Sequence, residues 1–135
     1  MIRHLVTRPL EDHEPFVSDL KAMGREIVSG PVFEIVYFKG KELCLADVQA
    51  ILITSANGVR ALVQSITSLD VPVYCVGDSS AEAARQAGFD RVFSAKGDVT
   101  DLAELVMSEL RSDAGRLFHP AASKLAGNLG SILEV

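Results

Sequence analysis

Ile51-Leu52-Ile53-Thr54-Ser55-Ala56-Asn57-Gly58-Val59-Arg60-Ala61-Leu62 is a continuous apolar run that turns at Thr-Ser into a helical pattern. An uninterrupted apolar strand is the kind buried on both faces of a parallel sheet. The helix that follows places Val59, Leu62, Val63 and Ile66 on one side. The junction leaves backbone N–H groups unpaired at a helix N-terminus, with two hydroxyls and an amide beside them. Such a place suits an anionic group.

Outward from this unit the pattern alternates strand and helix. Residues 2–6 read as a short strand, broken by Thr7-Arg8-Pro9. Residues 13–23 read as a helix with Phe16, Leu20 and Met23 at helical spacing, stopped by Gly24. Strands are expected at 25–28 and 32–38, with Lys39-Gly40-Lys41 as a break. Beyond the strand 49–54 and the helix 57–68, strands are expected at 72–76, 91–93 and 116–119. Helices are expected at 79–86, from Asp98 or Thr100 to Leu110, and at 124–133, the last weakened by Gly127 and Gly130. Repeated βα units imply an α/β fold, a parallel sheet with helices on both faces and right-handed crossovers. Ligands of such sheets sit at the carboxyl ends of strands. Those ends are Thr7-Arg8, Thr54-Ser55, Gly77-Asp78 and His119-Pro120.

The 135 residues suffice for one ordinary core, and 48% hydrophobic with 23% charged residues reads as globular. No apolar run reaches the roughly 20 residues of a membrane helix, and no secretory signal opens the chain, so no membrane partner and a cytoplasmic location are expected. A net charge of −5 argues against nucleic acid and gives an anionic ligand no long-range attraction. Cys44 and Cys75 lie in apolar surroundings without C-x-x-C spacing or a nearby histidine, and read as buried free thiols, with a metal or disulfide pair as the minor alternative. No histidine, cysteine or carboxylate grouping suggests a metal.

Four segments, in order, carry a resemblance: Leu5-Val6-Thr7-Arg8-Pro9, Gly30-Pro31-Val32-Phe33-Glu34-Ile35, Thr54-Ser55-Ala56-Asn57-Gly58-Val59, and Val76-Gly77-Asp78-Ser79-Ser80-Ala81-Glu82-Ala83-Ala84 through Ala87-Gly88-Phe89. They resemble the first half of the uroporphyrinogen-III synthase family. Leu117-Phe118-His119 through Leu129 follows more loosely, and a glycine common near Ala122 is missing. The resemblance implies two flavodoxin-like α/β domains joined by a two-stranded ladder, with the site in the cleft between them. Mapped here, residues 1–34 start the first domain and 35–135 form most of the second, where the family continues for nearly as long again. It also implies a substrate, hydroxymethylbilane, a linear tetrapyrrole with eight carboxylates. That substrate is cyclised with inversion of its last ring and loss of water, without cofactor or metal.

The resemblance makes Thr7, Arg8, Thr54, Ser55, Asn57, Gly77, Ser79 and Ser80 the candidate substrate-binding residues. Each has a plainer reading. Arg8 suits a carboxylate grip or an ordinary ion pair. Ser55 or Asn57 caps a helix in either case, and Gly77 to Ser80 is a turn plus cap. His119 suits general-acid chemistry, although a solvated strand-end histidine is the plainer reading. His4 and His13 read as structural or exposed, and Tyr37 and Tyr74 as strand packing residues. The family's more plausible proton donor, a tyrosine, falls beyond residue 135, so no catalytic residue is named. Two other functions compete with the synthase: a non-catalytic flavodoxin-like binding or interaction module, and an inactive remnant of the enzyme. A receiver-like module is disfavoured because the first strand ends in Thr7-Arg8 rather than clustered aspartates.

Overall fold

The computed structural model describes residues 2–38, 40–124 and 127–134. It divides into two compact units, Met1–Tyr37 and Phe38–Val135. In the first, β1 (Arg3–Val6) pairs in parallel with β2 (Glu26–Ser29), from Arg3↔Glu26 to Val6↔Ser29. A 3-10 turn (Leu10–Asp12) leads into α1 (His13–Ala22). Helix α1 buries Val17 and His13, whose Nε2 lies 2.6 Å from Ser29 Oγ. Alternation along the strands puts Arg3, Leu5, Glu26 and Val28 on one face. Leu5 and Val28 are exposed there, and Arg3 and Glu26 form an ion pair at 2.9 Å.

The second unit holds β3 (Val48–Ile53), α2 (Ala56–Leu62), β4 (Val73–Cys75), α3 (Asp78–Gln86), β5 (Val92–Ser94), α4 (Val99–Glu109), β6 (Arg116–Phe118) and α5 (Leu129–Leu133). Its four strands run parallel in the order β5-β4-β3-β6. Strand β3 is therefore central, which is why Ala50, Ile51, Leu52 and Ile53 are all buried. Burying each large side chain contributes about 1.5–3 kcal/mol. The helices cover both faces. Ile51, Ile53, Val73 and Cys75 pack with α2 and α3, whereas Ala50, Leu52 and Tyr74 pack with Leu102, Ala103, Val106 and Leu129 of α4 and α5. Gly88 ends α3 at φ +101°, a conformation that other side chains rarely adopt. Asp98 and Asp101 cap α4 reciprocally, each carboxylate accepting from the other's backbone N–H.

Four local expectations are corrected. Residues 32–38 form no strand: after Val32 N–H reaches the Thr7 carbonyl at 3.4 Å, no strand among the described residues pairs with them. Val32, Phe33, Val36 and Phe38 stay exposed, and Tyr37 donates to Glu11 at 2.6 Å instead of packing in a strand. Helix α2 ends at Leu62, not Ser68, because Gln64 and Ser65 N–H groups turn to the i−3 carbonyls of Ala61 and Leu62. Cys44 is exposed, and only Cys75 is buried; both are free. The last helix is the five-residue α5, while the expected residues Leu125 and Ala126 lie outside the described residues. With Gly127 just before it and Gly130 in its first turn, little favours a longer helix.

Candidate functional site

Parallel strands put all their carboxyl ends on one edge, so the loops after β3, β4, β5 and β6 share that edge. The loop after β3 leads to α2 on one face. The loop after β6 leads toward α5 on the other. Adjacent strands whose chains leave to opposite faces make a topological switch point, where open α/β sheets hold ligands. The crevice between β3 and β6 is that point here.

Its first wall is Thr54 to Asn57. Thr54 is half-buried and Ser55 exposed. Ser55 is the N-cap of α2, in extended conformation, and its Oγ accepts from Gly58 N–H at 3.3 Å. Asn57 Oδ1 accepts from Arg60 at 2.7 Å, one turn along the helix. The second wall is His119-Pro120. The His119 Nδ1 lies 2.8 Å from the Leu52 carbonyl, which makes it an anchored, half-buried ring rather than a solvated one. A Cβ at Gly58 would stand 3.3 Å from the Pro120 carbonyl oxygen, so the glycine lets α2 approach this wall.

Beyond β4, Gly77 caps α3, followed by Asp78 and exposed Ser79. Val76 N–H reaches the Ile53 carbonyl at 3.0 Å, tying this loop to the end of β3. Ser80 is buried, on the α3 face shared with Ala81 and Ala84. The structure thus brings Thr54, Ser55, Asn57, Gly77 and Ser79 to one sheet edge and turns Ser80 inward. Thr7 and Arg8 follow β1 in the other unit. Both are exposed, and the Arg8 guanidinium lies 4.9 Å from the Phe16 ring centroid, a cation–π contact.

Sequence reading passed over one residue of this edge. Lys96, after β5, is exposed and held at φ +54° while its N–H donates to Ser94 Oγ at 3.2 Å. Ser94-Ala95-Lys96-Gly97-Asp98 is a strand-to-helix junction like the others, and the same rule would have found it. At that junction the backbone N–H groups of Asp101 and Thr100 hold the Asp98 carboxyl below the usual carboxylate range. Burial raises the Tyr74 hydroxyl above its ordinary value, helped by its bond to Glu109. Burial pushes the Cys75 thiol up to about 11, leaving it inert as a nucleophile at neutral pH.

Two open hollows, of about 430 and 320 Å³, share Leu45 and Ser68. Val48, Pro72 and Arg91 of the larger precede or begin their strands, so the hollows lie at the amino edge, away from the switch point. No group of three or more potential ligands among the described residues could hold a metal. No helix among them is long and apolar enough to cross a membrane.

A family model described as Uroporphyrinogen-III synthase HemD matches residues 14–134. The chain belongs to the uroporphyrinogen-III synthase family. A crystal structure of uroporphyrinogen III synthase from the extremely thermophilic bacterium Thermus thermophilus is similar in fold, with a TM-score of 0.53 at 18% identity. The match covers 99% of this chain and 57% of that one. The present chain therefore spans little over half the length of this solved synthase. No curated protein matches it.

Proposed function

We propose that this chain carries one wall of a uroporphyrinogen-III synthase site, for closing hydroxymethylbilane with inversion of its last ring and loss of water. Family membership over residues 14–134 carries the reading. The placement of Thr54-Ser55-Ala56-Asn57 at the switch point supports it. In this reading residues 1–34 begin one α/β domain and residues 35–135 supply most of the other. The two free thiols favour a cytoplasmic protein.

The chemistry asks little covalent work of the protein. Electron-rich pyrroles expel the hydroxyl, and the protein holds a flexible polyanion in the conformation that favours inversion. Backbone N–H groups opening α2 and α3 suit carboxylates without a basic surface, as a net charge of −5 requires. Thr54, Ser55, Asn57, Gly77 and Ser79 line the binding edge. Thr7 and Arg8 belong to the first unit, where they follow β1, and Ser80 supports the α3 turn from inside. The deciding experiment supplies freshly made hydroxymethylbilane to a synthase with both domains whole that contains these residues, and asks whether the type III isomer exceeds the type I product of spontaneous closure.

A second reading, substrate binding without turnover, is favoured by one observation. The β1–β2 sheet has two strands and leaves Leu5 and Val28 exposed, so this unit by itself builds little of a covered α/β layer.

A further inference from the structure

His119 is oriented through one nitrogen and presented through the other. A carbonyl oxygen can only accept, so the 2.8 Å contact with Leu52 places a hydrogen on Nδ1; in the neutral ring Nε2 then carries the lone pair. The backbone on either side is held as well. Phe118 pairs with Ile51, and the Pro120 carbonyl packs beneath Gly58. Among the described residues the ring's hydrogen bond goes to Leu52 alone. The result is an imidazole of fixed tautomer at the β3–β6 crevice.

We infer that Nε2 of His119 is a ligand-binding group of this edge, taking up a proton as a ligand carboxylate arrives and donating it in a charge-assisted hydrogen bond. The inference rests on the polycarboxylate substrate proposed above. An acidic protein gains from a cation that appears only when the anion is present, and histidine alone supplies one near neutral pH with an ordinary side chain. The surrounding charges leave that role open. Strand β3 and helix α5 carry no titratable side chain. Helix α2 brings Arg60, which holds Asn57. On α4, Asp101 and Glu104 are exposed, Asp101 accepts from Asp98, and Glu109 accepts from Tyr74. Lys124 follows on the same loop, and Asp78 opens α3.

The test uses the 135-residue chain with nitrogen-15-labelled histidine and uroporphyrin I, a stable porphyrin with eight carboxylates, at pH 7.5. The free protein is expected to show His119 as the Nδ1–H tautomer. Added uroporphyrin should move both ring nitrogens to imidazolium shifts. His119→Asn keeps an amide donor for the Leu52 carbonyl and removes Nε2. It should fold as the parent does and bind about five- to tenfold more weakly. An Nε2–H tautomer in the free chain, or uroporphyrin binding that leaves the His119 signals unmoved, overturns the inference and spares the synthase reading. Failure of the parent chain to bind uroporphyrin overturns both.

Discussion

Gly58→Ala sets two effects of similar size against each other where the crevice walls meet. Gly58 is the third residue of α2, and replacing a helical glycine by alanine favours the helix by about 0.5–1 kcal/mol. The added methyl would lie 3.7 Å from Pro120 Cγ and 3.8 Å from Ile53 Cδ1, ordinary contact distances, but 3.3 Å from the Pro120 carbonyl oxygen. That oxygen must retreat by a few tenths of an ångström. It can, because residues 119–124 form no regular element and the 2.8 Å bond from His119 to Leu52 tolerates such a stretch. The two effects nearly cancel, leaving a net change within about 0.5 kcal/mol. Gly58→Val adds two more methyls against Pro120 and Ile53 with a β-branch in the helix, and should cost about 1.5–3 kcal/mol. In urea unfolding followed by far-ultraviolet circular dichroism, with a slope of about 1.5 kcal/mol/M, the alanine variant should shift the midpoint by no more than about 0.3 M. The valine variant should lower it by about 1–2 M. A harmless valine would show that α2 and Pro120 are not in contact. An alanine variant losing more than about 2 kcal/mol would show that the 119–124 loop cannot yield.

Three further outcomes are expected. A thiol reagent at pH 8 should modify Cys44 in the native chain and reach Cys75 only on unfolding; rapid labelling of both would contradict the burial of Cys75. Because the Cys75 thiol is raised to about 11, its contribution to stability is intact below the unfolded value near 9 and is lost as pH rises through 11. Cys75→Ala should flatten that alkaline loss in urea titrations. In a synthase with both domains whole, replacing both Thr54 and Ser55 by alanine should lower kcat/KM by about tenfold, through positioning, since backbone donors remain. Unchanged turnover would remove the hydroxyls from the site. Residues 1–135 alone should give little type III product above spontaneous closure, and robust type III formation would refute the need for two walls.

The central unit was legible because its signals are local. The apolar run ending at Ile53, the Ser55 cap, the Asp98 capping box and the stop at Gly88 each act within a few residues. What escaped depends on partners distant in sequence. Residues 32–38 have strand-like composition, but composition does not supply a neighbouring strand. Cys44 sits among apolar residues in sequence and at the surface in space. The anchoring of His119 follows from a β3–β6 register that joins positions 67 residues apart. Lys96 was different, a local signal left unread.

That same register has a kinetic consequence. Ile51 pairs with Val73, 22 residues on, and with Phe118, 67 residues on. Closing the longer loop costs about 1 kcal/mol more in chain entropy, so β3, β4 and β5 should assemble as a nucleus before β6 docks. In hydrogen exchange, amides of β6 should open at lower free energy than those of β3. The crevice is then bounded by one early, permanent wall and one late, releasable wall, and the releasable one bears the imidazole.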